Sequence, residues 1–372
     1  DFVQARRKRY HSMLTEREQQ IFNWIKEQPS ITQKEIAERA GISRSSVSVH
    51  ISNLTSKGAV LGRRYILCDA PYVMVIGAAN MDIAGSPDGK LIASDSNPGA
   101  VRMSAGGVGR NIAHNLALLG SKVRLLTAFG QDANAQELKD GCCAVHVDID
   151  PSMTIPGEPT STYLFIMNEH GEMQLAIADM DIYRYLTPER MEERMDLIDH
   201  AAAVVIDTTL PQETLRYLAD HVSAPIICDP VSTTKAKKIR HLIGRFHTLK
   251  PNRLEAELLS GITIHDDASL ERAAKELLET GLKRVFISLG SDGLYCADEN
   301  EAFKLPLHET KVVNMTGAGD AMVAGIAWAF TKKASLKRTG CIGLAAAEIA
   351  TESASTINSA LTGSAVLHRI KN

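Results

Sequence analysis

The sequence predicts an α/β protein: a mostly parallel central sheet flanked by helices, with a small basic helical module ahead of it. Three observations carry this. From Tyr72 onward, short β-branched runs alternate with longer helical patterns, the order that builds parallel sheets covered on both faces. The stretch before it carries apolar residues at helical spacing instead. Charge divides at the same place: residues 1–70 hold 12 Lys and Arg against 7 Asp and Glu, a net of +5, and the remainder holds 29 against 37, a net of −8. The overall net charge of −3 hides this asymmetry. The expected division is therefore residues 1–70 and 71–372, with Asp69-Ala70-Pro71 as the break.

Length and composition set outer bounds. A chain of 372 residues exceeds one small core, and 44% hydrophobic with 23% charged residues describes a folded globular protein rather than a disordered or fibrous one. No run approaches the roughly 18 apolar residues a membrane span needs, and the basic N-terminus is not followed by an apolar signal core, so no membrane partner is expected. Six Cys with no Cys-x-x-Cys pair read as reduced thiols of a cytoplasmic protein.

In the first module, Thr15 precedes Glu16 and Glu18 and then the apolar Ile21, Phe22, Trp24 and Ile25, an N-cap opening a helix that stops near Pro29. Phe22 and Trp24 are expected in its core. Thr32 with Glu35 three residues on is a capping box for a second helix, buried through Ile36, Ala37 and Ala40 and ended by Gly41. After the turn Gly41-Ile42-Ser43, the stretch from Arg44 to Leu54 buries Val47, Ile51 and Leu54 and presents small polar and basic residues outward. Residues 37–54 resemble the winged helix-turn-helix of bacterial transcription regulators, with Gly58 to Leu67 as the hairpin wing. That resemblance implies DNA as a partner: Ser43, Arg44, Ser45, Ser46, Ser48 and His50 would face the major groove, and Arg63 and Arg64 would meet phosphates. It also favours a homodimer, since such modules pair on two-fold half-sites. A dimerisation module without DNA binding remains the plain alternative.

In the body, Val73–Ile76, Val123–Leu126, Val204–Ile206, Ile226–Cys228 and Val285–Ser288 read as buried strands, and residues 111–119 and 269–280 as helices. Ligands in such sheets bind beyond the C-terminal strand ends. No Gly-x4-Gly-Lys phosphate loop occurs.

Asn314-Met315-Thr316-Gly317-Ala318-Gly319-Asp320 runs into the apolar helix 323–330. Small residues at a helix start let the backbone N–H groups of Gly317, Ala318 and Gly319 converge on an anion, and Asp320 in the first turn can serve beside them as a general base for a hydroxyl. Gly106-Gly107-Val108-Gly109-Arg110-Asn111 also enters a helix, but without dinucleotide-binding spacing, and a close approach of its backbone to a sugar fits better. Asn252 and Glu255, three apart after Lys250-Pro251, share a helix face and can orient a metal-bound water; plain helix capping is the simpler reading of that pair.

Taken together and in this order, Gly106-Gly107…Asn111, Asn252-x-x-Glu255 and Thr316-Gly317-Ala318-Gly319-Asp320 resemble the ribokinase, or PfkB, family of carbohydrate and nucleoside kinases over about residues 72–370. The resemblance implies a ribokinase-like sheet with a small β lid, formed by the hairpin around Ser161–Ile166 and by the Pro98–Ser104 strand. It implies ATP as phosphate donor, Asp320 as base and Gly317, Ala318 and Gly319 as anion hole. Glu255 with Asn252 would hold Mg2+ through water, and Ser288 and Gly290 would contact ATP. Asn80, Asp82, Gly106, Gly107 and Asn111 would bind the sugar hydroxyls. Asn314 stands where the family usually has Asp beside a monovalent cation, so Asn314 and Thr316 are the expected neighbours of K+. Ser94 to Gly99, GGVGRNIAHNLALLG and HTLKPNRLEAE resemble a closer group, the pseudouridine kinases, which implies transfer of the ATP γ-phosphate to the 5′-hydroxyl of pseudouridine. Another nucleoside or sugar as substrate stays open, as does a regulator that uses the kinase-like body as a sensor.

Overall fold

The computed structural model describes residues 14–28, 31–57, 71–308 and 310–371. The chain falls into two compact units that part between residues 69 and 70.

Among the described residues the first unit holds three helices, Glu16–Glu27, Gln33–Ala40 and Arg44–Ser56. Both capping boxes form: Thr15 with Glu18, and Thr32 with Glu35. Gly41 ends the second helix in the left-handed conformation at φ 62°, which opens the tight turn into the third. Ile21, Ile36, Ala37, Val47, Ile51 and Leu54 make the core. Phe22 and Trp24 pack against it but are only partly buried, which corrects their expectation as full core residues, the fully buried position of that turn being Ile21. Buried Glu18 also accepts from Lys57 Nζ at 2.6 Å, pinning the first helix to the end of the third, and Lys57 holds its carboxyl down to about 2. The expected wing, with Arg63 and Arg64, lies outside the described residues.

The second unit is built on a nine-stranded sheet in the order Ala302–Leu305, Leu294–Asp298, Arg284–Ser288, Thr248–Leu249, Ile226–Asp229, Ala203–Asp207, Val73–Ile76, Val123–Leu126, Val147–Asp148. All neighbours are parallel except the first two pairs. Alternation decides the layers: Val73 and Val75 pack under helices Val108–Leu118, Ala318–Thr331 and Leu336–Thr351, while Met74 and Ile76 join the core on the opposite face. Strands buried on both sides are why these runs read as continuous apolar sequence.

Chain order reverses between Val73–Ile76 and Ala203–Asp207, so the crevice beyond these two strand ends is the switch point where a doubly wound sheet takes its ligand. Beside it stands a four-stranded sheet, Gly99–Gly106, Asn80–Pro87, Thr162–Met167 and Met173–Asp179, with the last strand exposed along its length. This is the expected lid.

Candidate active site

Strand ends, lid and helix starts converge on one crevice. From the lid side, Asn80 leaves the strand it begins and donates from Nδ2 to Asp82 Oδ1 at 2.6 Å. Burial pushes the Asp82 carboxyl up to about 6, with the Asn80 bond and the Arg110 charge opposing. Gly106, paired opposite Asn80, leaves room for that carboxylate: a Cβ there would lie 2.3 Å from Asp82 Oδ2. Gly107 has φ +93°, and a Cβ would meet Ala78 O at 2.5 Å; one on Gly109 would meet the Gly77 backbone at 2.8 Å. Gly107 and Gly109 thus seat the Val108–Leu118 helix on the loop after the first strand, and the close approach those two make is to protein backbone.

From that helix, Asn111 donates Nδ2 to Asp320 Oδ2 at 2.8 Å, and Arg110 Nη2 holds Asn111 Oδ1 and the Ala105 carbonyl. Asp320 lies in the first turn of Ala318–Thr331, whose N-cap is Gly317 at φ +82°. A Cβ on Gly317 would meet Thr356 O at 2.5 Å, so the turn admits only glycine. Ala318 N–H donates to Met315 O at 3.3 Å, whereas the N–H groups of Gly317 and Gly319 have no acceptor among the described residues. Of the three expected anion-hole donors, two are free and one is weakly engaged. Burial, then the charge of Asp229, raises the Asp320 carboxyl to about 7, against the Asn111 bond and Lys250, so it exchanges a proton near neutral pH.

Below this turn lies a buried ionic cluster that sequence reading passed over. Lys250, after the Thr248–Leu249 strand, has Nζ 3.4 Å from Asp229 Oδ2 and the same distance from where a Gly319 Cβ would be. Burial works against its charge, but Asp229, Glu255 and Asp320 together hold its pKa above the ordinary lysine value. Asp207 accepts the Ala78 N–H at 2.8 Å and fixes the floor of the crevice. The signal was a lone acid closing an apolar strand, at Asp207 and again at Asp229.

Asn252 and Glu255 form a full capping box for Arg253–Ser260, so the structural reading of that pair holds in the geometry. Glu255 is also buried, its carboxyl raised by burial and by Asp229. Ser288, at the next strand end, bridges to Asn252 and donates its N–H to Pro251 O at 3.0 Å; Gly290 turns after it at φ +62°.

A sequence model of the pfkB family carbohydrate kinases matches residues 70–362. The chain belongs to that family. This pfkB-family kinase also matches a model of winged helix-turn-helix DNA-binding modules over residues 14–60. It is 38% identical to the protein named uncharacterized sugar kinase YeiI of Escherichia coli K12 over 355 residues, spanning 94% of this chain and 97% of that one. It is 42% identical to the pseudouridine kinase of Escherichia coli K12 over 259 residues, 69% of this chain and 82% of that one. The structure of Arabidopsis thaliana ribokinase complexed with ribose and ATP shares the fold, with a TM-score of 0.74 at 23% identity, covering 82% of this chain and 99% of that one. The kinase is a phosphotransferase of the nucleoside and sugar class with a hydroxyl acceptor, and its family uses ATP and typically Mg2+.

The acidic excess at this place fits a divalent ion. Asp229, Glu255 and Asp320 outnumber Lys250, yet no three His, Cys, Asp or Glu side chains among the described residues group as direct metal ligands. Glu255 and its neighbours would be the residues to hold Mg2+, which would supply neutralisation of phosphate charge.

In the helix-turn-helix unit, Arg44 and Ser45 are exposed, and Ser46, Ser48 and His50 half-buried. Ser43 caps the third helix, its Oγ 2.8 Å from the hydroxyls of both Ser45 and Ser46 and accepting the Ser46 N–H. Val49, which sequence reading left out, is 59% exposed on the same helix.

Proposed function

We propose that the kinase transfers the γ-phosphate of ATP to the 5′-hydroxyl of pseudouridine, giving pseudouridine 5′-phosphate and ADP. The Asp320 carboxylate, beside the free N–H groups of Gly317 and Gly319 and tied to Asn111, is the observation that carries the reading. Identity of 42% to the pseudouridine kinase of Escherichia coli K12 supports this substrate.

Asp82 and Asn80, joined by Asn111, Gly106 and Gly107, bind the ribosyl hydroxyls; a carboxylate accepts from two neighbouring hydroxyls. Asp320 takes the 5′-hydroxyl proton as that oxygen attacks the γ-phosphorus. The bond from the γ-phosphorus to the β-bridging oxygen breaks, and ADP leaves with the electron pair. Charge gathering on the phosphoryl oxygens is met by the Gly317, Ala318 and Gly319 amides and by Lys250 from below. Asn252, Ser288 and Gly290 line the nucleotide side, and the lid closes over the sugar to exclude water.

The N-terminal unit binds DNA through Arg44, Ser45, Ser46, Ser48 and His50, with Ser43 as the cap that fixes them. Val101, Met103, Leu175 and Ile177, exposed on the outer lid strands, are the apolar surface a second subunit would cover, consistent with a homodimer. A cytoplasmic kinase that reads its own operator is the resulting picture. Turnover with Mg·ATP against pseudouridine, uridine, inosine and ribose tests it: selective turnover of pseudouridine supports the reading, and ligand binding without turnover by any of them replaces it with a sensor.

A further inference from the structure

Family resemblance places a monovalent cation beside the first residue of the Asn314-to-Asp320 stretch, and the bonding around Asn314 does not suit one. Asn314 Nδ2 donates to the Ala354 carbonyl at 3.0 Å, and its Oδ1 accepts the Thr316 N–H at 2.9 Å. The two partners fix which end of the amide is which, because a carbonyl can only accept and an N–H can only donate. Nearby carbonyls are supplied with protons in the same way. Thr351 O, at the C-terminal end of Leu336–Thr351, accepts from Val313 N at 2.8 Å and Asn314 N at 3.1 Å. Ile349 O accepts from Asn358 Nδ2 at 2.6 Å. A helix end with unpaired carbonyls attracts cations, and here protein N–H groups take that place.

We infer that the Asn314 side-chain amide substitutes for the monovalent cation, so that this kinase is K+-independent. An Asp at 314 would keep one oxygen on Thr316 N–H but set the other against Ala354 O, two acceptors with no proton between them. A cation would then be needed to bridge them. The amide proton of Asn314 bridges them permanently. The consequence reaches the chemistry through packing, because Thr356, two residues after Ala354, lies so near Gly317 that a Cβ there would meet its carbonyl at 2.5 Å.

The test is thermal unfolding of the full chain in KCl, NaCl and choline chloride at equal ionic strength, for wild type and for Asn314→Asp. Wild type should unfold within about 1 °C of the same midpoint in all three, while Asn314→Asp should be destabilised in choline chloride and regain about 2–4 °C in KCl. A saturable, K+-selective rise in the wild-type midpoint would overturn the inference, as would a folded Asn314→Asp chain indifferent to K+. If that variant does not fold, the wild-type comparison decides alone. Turnover with Mg·ATP should follow, wild type varying less than about twofold among the salts. The thermal measurement needs no substrate, so its failure is separate from any failure of the pseudouridine assignment.

Discussion

Asn111 and Asp320, 209 residues apart, are joined by a 2.8 Å hydrogen bond from Nδ2 to Oδ2 that ties the helix after the lid strand to the helix carrying the proposed base. The bond favours the ionised carboxylate and so opposes the burial that raises Asp320 to about 7. Removing it in Asn111→Ala should move the acid limb of the kcat/KM profile to higher pH. The loss of activity should be larger at pH 7 than at pH 9. An unshifted limb would mean that Asn111 serves substrate binding alone.

Asp320 also affects stability. Its folded value near 7 lies above its ordinary 3.8, so ionised burial costs stability above pH 7, and that cost fades as pH falls toward 4. Asp320→Asn should therefore unfold about 2–5 °C higher than wild type at pH 8, with the gap closing below pH 4. Scanning calorimetry at the two pH values reads this directly.

Lys250 and Asp229 are both buried and 3.4 Å apart. Lys250→Met should cost about 3 kcal/mol, because it leaves an unpaired buried carboxylate, and Lys250→Met with Asp229→Asn should cost less than the single change. Denaturant unfolding of the two variants measures the difference. Equal or greater loss in the double variant would show that the ion pair is not what couples these strand ends.

Arg44 is exposed, and the proposed DNA binding sets it against a phosphate or a base edge. Arg44→Ala should weaken operator binding and lower the slope of log affinity against log salt by about 1, leaving kinase turnover unchanged. Titration of a labelled duplex at several salt concentrations checks it.

Legibility in the sequence followed from how many physical demands each residue met. The run Val73-Met74-Val75-Ile76 was readable as strand because both of its faces are buried, and Thr32 with Glu35 as a helix start because the capping box is purely local. The turn at Gly317, the carboxylate of Asp320 at the helix start and the pair Asn252 and Glu255 were likewise visible, as they lie within single short stretches. Asp207, Asp229 and Lys250 were not singled out, since their importance arises only when separate strand ends meet in space. Gly107 and Gly109 were visible as glycines but not in their reason, which is contact with the backbone of residues 77–79. Phe22 and Trp24 looked like core because helical spacing gives a face without saying how far the neighbouring helices reach across it.

Phosphorylation of pseudouridine with Asp320 as base is the activity proposed for this pfkB-family kinase. The most direct measurement is steady-state phosphoryl transfer from Mg·ATP to pseudouridine and to uridine by wild type and Asp320→Asn, with substrate affinity measured separately by calorimetry. Preference for pseudouridine is expected, with a fall in kcat of about 10²–10⁴-fold in the variant and affinity for the nucleoside kept. Full turnover by Asp320→Asn, or equal turnover of both nucleosides by wild type, would contradict it.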